Sequence, residues 1–206
     1  MSAALLWCGL LPAFFVGAQL QAMESELATG PAQWSFTNDI LPILTRHGCN
    51  AGSCHGKAIG QNGFKLSLFG FDPQQDHAAI VHDALGRRVS PAAPDDSLLL
   101  LKATARMAHG GGQRFAANTE AYRRLREWIA QGAAWGPATE PTDVQLEVTP
   151  GEREFETAGE QQLRVIVHYS DGSTRDVTPW ARYDGQQPDL LTVSPTGLVV
   201  TTGRGG

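Results

Sequence analysis

Gly48-Cys49-Asn50-Ala51-Gly52-Ser53-Cys54-His55-Gly56 is the stretch on which the reading of this chain turns. Two thiols followed at once by an imidazole form the arrangement by which a haem is tethered through two thioether bonds while the adjacent histidine ligates the iron. The common motif places two residues between the cysteines, whereas four stand here. The longer loop has to bulge between two attachment points, and Gly52 flanked by small Ala51 and Ser53 makes that bulge sterically cheap. Two other chemistries use the same residues. A Cys49–Cys54 disulfide would suit an exported domain, and Cys49, Cys54, His55 and His47 could surround zinc. Neither explains why His55 abuts Cys54. Ser53 has no acid partner or oxyanion site in the sequence and reads as a loop serine.

Outward from this stretch, the chain has 206 residues, enough for one large domain or two small ones. Its net charge of −5 and the lack of a basic run exclude the phosphate-neutralising footprint of nucleic-acid binding. Met1 to Ala22 carries no charge and reads as a signal peptide with small residues near its end, so residues 1–22 predict export to the periplasm or cell envelope. An uncleaved leader is the one route to membrane attachment. Cys8 lies inside the leader, which leaves Cys49 and Cys54 as the even pair that either a disulfide or covalent haem requires.

Between the leader and residue 136 the apolar residues fall at helical spacing. Thr37-Asn38-Asp39 predicts the cap of a short helix carrying Ile40, Ile43 and Leu44. Thr119 predicts the cap of a second helix with Tyr122, Leu125, Trp128 and Ile129 on one face, ended by Gly132. Arg123, Arg124 and Arg126 read as its solvated side. Pro137 to Pro141 is a proline-bounded polar stretch, so a linker is expected at 137–142. Beyond it the period becomes two: Val144, Leu146 and Val148 alternate, as do Leu163, Val165, Val167 and Tyr169, with a tight turn at Asp171-Gly172 leading into Thr174 to Thr178. The expected fold is multidomain, a mainly α region followed by an all-β sandwich.

Further segments carry a family resemblance. Phe36-Thr37-Asn38-Asp39-Ile40-Leu41-Pro42, the Cys49 to Gly56 stretch, Gly63 to Pro73, Gly86-Arg87-Arg88-Val89, Ser97 to Ala103, His109-Gly110-Gly111-Gly112 and Tyr122 to Gly132 occur in the order seen in the cytochrome c-like module at the front of large exported planctomycete proteins. The resemblance covers roughly residues 35–136. Residues 143–206 resemble a bacterial Ig-like domain of group 2, through Tyr169-Ser170-Asp171-Gly172-Ser173, Asp176-Val177-Thr178 and Val193 to Val199. Such domains add a closing strand after a glycine-centred turn, so the Ig-like domain is expected to be C-terminally truncated and the chain to be a fragment of a longer protein, with any catalytic domains downstream.

The resemblance implies haem c attached at Cys49 and Cys54, with His55 as the near-side iron ligand. His109 is the preferred far-side ligand, because modules of this kind carry histidine before the glycine run and because Gly110 to Gly112 let backbone pass close to a flat ring. Met107 is the alternative, methionine being a frequent partner of histidine in small cytochromes c. Arg87, Arg88 and Arg114 are candidates to pair with haem propionates. Phe64, Leu66, Leu68 and Phe69 are expected to line the core or the haem crevice. His77, His82 and His168 carry no motif, and local hydrogen bonding is expected of each. The function implied is one-electron transfer to an unidentified redox partner protein, with no catalytic residue of its own. The alternative is a haem-free, disulfide-stapled interaction or adhesion module.

Overall fold

The computed structural model describes residues 33–155 and 158–202, so the leader residues, Cys8 among them, lie outside the described part. The chain forms a helical region followed by two small antiparallel sheets of three strands each. Phe36–Ile40 makes a π-helical turn that runs into α1, Leu41–Arg46. The cap is Ser35, not the predicted Thr37-Asn38-Asp39. The Ser35 hydroxyl accepts from Asn38 N (2.8 Å) and the Asp39 carboxylate accepts from Ser35 N (3.0 Å), a reciprocal pairing of the capping-box kind. Thr37 and Asn38 are used elsewhere: both side chains donate to Glu140, at 2.9 and 2.7 Å, and Asn38 also donates to the Pro141 carbonyl. The 137–142 stretch is irregular in conformation and tied to the first turn of the helical region by these bonds.

Three further helices follow, α2 Pro73–Val81, α3 Leu98–Ala103 and α4 Glu120–Ala130. Asp72 caps α2, its carboxylate accepting from Gln75 N, and Pro73 supplies the fixed φ of a first helical position. Thr119 caps α4 by accepting from Tyr122 N, and Gly132, at φ +94°, follows its end, both as predicted. The buried face of α4 is Ala121, Tyr122, Leu125, Trp128 and Ile129. It packs in one core with Phe36, Ile40, Ile43, Leu44, Leu66, Ile80 and Leu100. Arg123 and Arg124 pair with Glu120, Arg123 also with Glu127, and Arg126 with Asp95, on the opposite side. Such exposed pairs contribute little to stability.

In the second half, β1 Asp143–Thr149, β3 Arg164–Tyr169 and β4 Thr174–Asp176 form one sheet in the order β1-β3-β4. The other sheet has the order β2-β6-β5, from β2 Glu160–Gln162, β5 Leu191–Val193 and β6 Leu198–Thr201. The Asp171-Gly172 turn is formed, with Tyr169 N donating to Ser173 O at 2.9 Å and Gly172 at φ +81°. Val165 and Val167 of the central strand are buried. The alternation read in β1 is present, but its apolar face is open: Val144, Leu146 and Val148 are 70, 61 and 45% exposed, because β1 is an edge strand. Leu163 lies between strands and donates to Gly197 O.

The sheets meet the helical region through cations. Arg175 of β4 pairs with Asp39 (2.7 Å) and donates to the Asn38 carbonyl. Arg46 donates to Ala181 O at 3.0 Å, and the Arg124 guanidinium lies 4.3 Å from the centre of the Trp180 ring.

Candidate haem-binding site

The loop that follows α1 is built by backbone hydrogen bonds. Gly48, at φ +69°, turns the chain out of the helix, and Cys49 N donates back to Leu44 O at 2.8 Å. Cys54 N and Gly56 N both donate to Ala51 O, His55 N donates to Cys49 O, and Phe69 N donates to Asn50 O. Asn50 is fully buried at the centre of this winding, its amide held by Thr45 Oγ1 at 2.8 Å. Gly52 and Ser53, the middle of the bulge, are exposed. The winding is tight enough that a Cβ at Gly56 would meet the Asn50 carbonyl oxygen at 2.0 Å. Gly56→Ala is therefore expected to destabilise the fold by at least the ~1–3 kcal/mol typical of overpacking, read as a lower midpoint in urea denaturation.

Cys49 and Cys54 are free thiols, so no bridge joins them. Burial pushes the Cys49 thiol up to about 11, which keeps it protonated at neutral pH. Among the described residues, no three His, Cys, Asp or Glu side chains gather as a metal-ion cluster. His47, a member of the zinc alternative, has Nδ1 at 3.0 Å from Arg114 O and its ring edge against Phe115.

Both cysteines open with His55 and His109 into one crevice of 260 Å3 that is also lined by Phe64, Leu98 and Leu99. The rings of His55 and His109 are parallel within 9°, with centres 6.2 Å apart. Each imidazole holds its Nδ1 against a backbone carbonyl, Phe64 O at 3.0 Å for His55 and Gly112 O at 2.9 Å for His109. A carbonyl can only accept, so Nδ1 donates in both rings, which leaves Nε2 as the nitrogen available to a metal, the arrangement in which ligating histidines are commonly held. Burial lowers the pKa of His55, as do neighbouring His109, Arg88 and Lys57, so this imidazole is neutral at pH 7. One crevice thus gathers two imidazoles tied through Nδ1 and two thiols, that of Cys49 packed against the core, the donor set that a covalently attached haem would use. Met107 does not line the crevice and is 41% exposed.

Two of the arginines named as propionate candidates bond backbone carbonyls around the histidine loops. Buried Arg88 donates to the carbonyls of Ala79, Asp83 and Gly63 and lies 4.5 Å over the Phe64 ring. Phe64 in turn packs on His55, centre to centre 4.5 Å. Arg114 donates from Nε to His47 O and from Nη1 to Gly111 O, so one guanidinium joins the loop before Cys49 to the loop after His109. Exposed Arg87 and half-buried Lys102 also line the crevice, and no carboxylate does. The glycine run acts locally: a Cβ at Gly111 would come within 2.9 Å of the His109 ring, and Gly112 sits at φ +68°.

Of the apolar candidates, Leu66 is in the core and Phe64 lines the crevice. Leu68 and Phe69 are about half exposed and lie outside it, with Phe69 stacked under Arg182. His77 bonds Ala133 O at 2.9 Å and packs edge-on against His82, and His168 pairs with Glu147 at 3.0 Å. Comparison with known protein families, with curated proteins and with solved structures returned no match.

Proposed function

We propose that the helical region is a c-type cytochrome module that binds one haem through Cys49 and Cys54, with His55 and His109 on the two faces of the iron, and that it transfers single electrons. The observation that carries this reading is the parallel pair of imidazoles 6.2 Å apart, each with Nδ1 tied back to backbone, in a crevice shared with two free thiols. When bound, the haem supplies a reversible Fe(III)/Fe(II) couple whose potential follows axial ligation, burial and nearby charge. The chain's residues do the rest. His55 and His109 would hold the iron, and Cys49 and Cys54 would carry the thioether bonds. Phe64, Leu98 and Leu99 exclude water from the crevice, and Arg87, Lys102 and Arg114 provide positive charge for two propionates.

Arg88 and Arg114 are positioning residues: the first holds Phe64 against His55, the second draws the two histidine loops together. On this reading the sheets form a bacterial Ig-like domain, and the module serves an exported protein of the cell envelope in contact with a redox partner protein. Residues 143–201 support it with two antiparallel sheets and the Asp171-Gly172 turn at the position the resemblance requires.

A pyridine haemochrome spectrum of protein made with a periplasmic haem-attachment system is the direct test. A c-type band is expected; a colourless product carrying a Cys49–Cys54 bridge would overturn the proposal. The same preparation separates the two far-side candidates. The oxidised protein should lack the sulfur-to-iron charge-transfer band, Met107→Ala should leave the spectrum unchanged, and His109→Ala should convert it to one with an open axial position. A sulfur band that disappears in Met107→Ala would assign the ligand to Met107 instead.

A further inference from the structure

A second cleft, of 540 Å3, lies between the end of α1, the Cys49 loop and the segments Ala181 to Tyr183 and Val193 to Pro195. Three guanidiniums line it, those of Arg46, Arg114 and Arg182, together with the Ser53 hydroxyl, and no carboxylate does. In a chain of net charge −5 this is a local excess of positive charge. Arg46 is partly buried, and burial lowers its pKa; among the described residues it makes one hydrogen bond, Nη1 to Ala181 O, and no ion pair. Arg114 likewise bonds only backbone carbonyls, those of His47 and Gly111. Arg182 is paired with Asp184, which is 72% exposed on the outer side, through Nε and Nη2 and keeps Nη1 unused among the described residues. Arg46 and Arg114 are thus half-buried cations in one cleft, held by backbone carbonyls and lacking an anionic partner among the described residues.

We propose that this cleft binds a tetrahedral oxyanion, a sulfate or phosphate group. Guanidinium forks match two oxygens of such a group at once, which a single ammonium cannot do. The volume falls within the ~300–1,000 Å3 of clefts that take small molecules, so a sulfate or phosphate ester of a small ligand fits as well as the free ion. Ser53 adds a neutral donor at the same wall. Arg114 lines both this cleft and the crevice, whereas Arg46 and Arg182 line this one alone, so the test rests on those two.

Isothermal titration of the full chain with inorganic sulfate, inorganic phosphate, glucose 6-sulfate and glucose 6-phosphate tests the proposal. Saturable binding is expected, and Arg46→Gln and Arg182→Gln should each weaken it roughly tenfold, the loss of one charge-assisted contact. Tighter binding of the esters identifies the esterified group as the ligand, and equal binding identifies the free ion. Arg182 is a surface residue, so its variant stays informative if Arg46→Gln loosens the contact with Ala181; unchanged far-UV ellipticity checks each fold. Arg87→Gln and Lys102→Gln, in the other cationic crevice, should leave the affinity as it is. Absence of saturable binding for all four probes, or affinity lost in Arg87→Gln and Lys102→Gln but retained in Arg46→Gln and Arg182→Gln, would overturn the proposal.

Discussion

Cys54→Ser, made with a haem-attachment system, is expected to yield protein whose haem is held by one thioether, with the haemochrome band displaced from the two-thioether position; Cys49→Ser is expected to do the same. The double variant should release all its haem on acid–acetone extraction. These are the largest effects anticipated for the site, because attachment is covalent and no other cysteine remains after residue 22. The structure gives a reason to expect clean results. Cys49 is packed against the hydrophobic core and Cys54 sits at the mouth of the loop, yet neither thiol accepts or donates a bond on which the winding depends; that work is done by backbone groups of Cys49, Asn50 and Ala51. Serine at either position keeps the backbone, and Cys49→Ala, which buries no hydroxyl against the core, is the companion variant that separates loss of attachment from loss of folding. His55→Ala tests the remaining member: it should retain covalently attached haem and lose the near-side imidazole. Unchanged spectra in both single cysteine variants would refute the assignment.

The part of this organisation that is legible in the sequence is the part governed by local chemistry. Thr119 and Gly132 bracket α4 because a hydroxyl cap and a left-handed glycine act within a few residues of themselves, and the spacing of Tyr122, Leu125, Trp128 and Ile129 fixes which face is buried. The cysteine–histidine stretch was readable for the same reason. The Ser35 cap was missed because Thr37, Asn38 and Asp39 are equally good capping residues, and what diverts Thr37 and Asn38 is Glu140, over a hundred positions away. Period-two alternation identified β1 but could not say that nothing covers its apolar side, since strand order and not strand pattern makes it an edge. The bonds of Arg88 and Arg114 to the carbonyls of Gly63 and His47, at separations of 25 and 67 residues, are not legible in the sequence, because a backbone carbonyl leaves no mark there. The second cleft was invisible for a related reason: Arg46, Arg114 and Arg182 are distant in the chain and become neighbours only when the sheets meet α1.

Trp128→Ala is expected to cost about 3–5 kcal/mol, the range for removing a buried large aromatic. Trp128 is 1% exposed and packs against Phe36, with ring centres 5.7 Å apart, and against His77; its indole N–H donates to Ala134 O at 2.8 Å. Against a total stability of roughly 5–15 kcal/mol, that loss leaves the helical region near or past its unfolding midpoint at room temperature. Trp128→Phe keeps an aromatic ring in place while removing the donor to Ala134 and part of the indole's volume, so a smaller loss of about 1–2 kcal/mol is expected for it. The consequence for the site follows from connectivity. Phe36 opens the turn that leads into α1, and α1 ends at the loop that holds Cys49. Loss of the Trp128 wedge should therefore lower haem incorporation without any change at the crevice itself, and Trp128→Phe should restore it. Arg123, on the solvated face of the same helix, provides the contrast: it is half exposed and paired only with Glu120 and Glu127, so Arg123→Ala should leave both the urea midpoint and the haem content unchanged. A Trp128→Ala protein as stable as the parent would mean that the core around Phe36 collapses to fill the space, and that α4 is not what holds the front of the helical region in place.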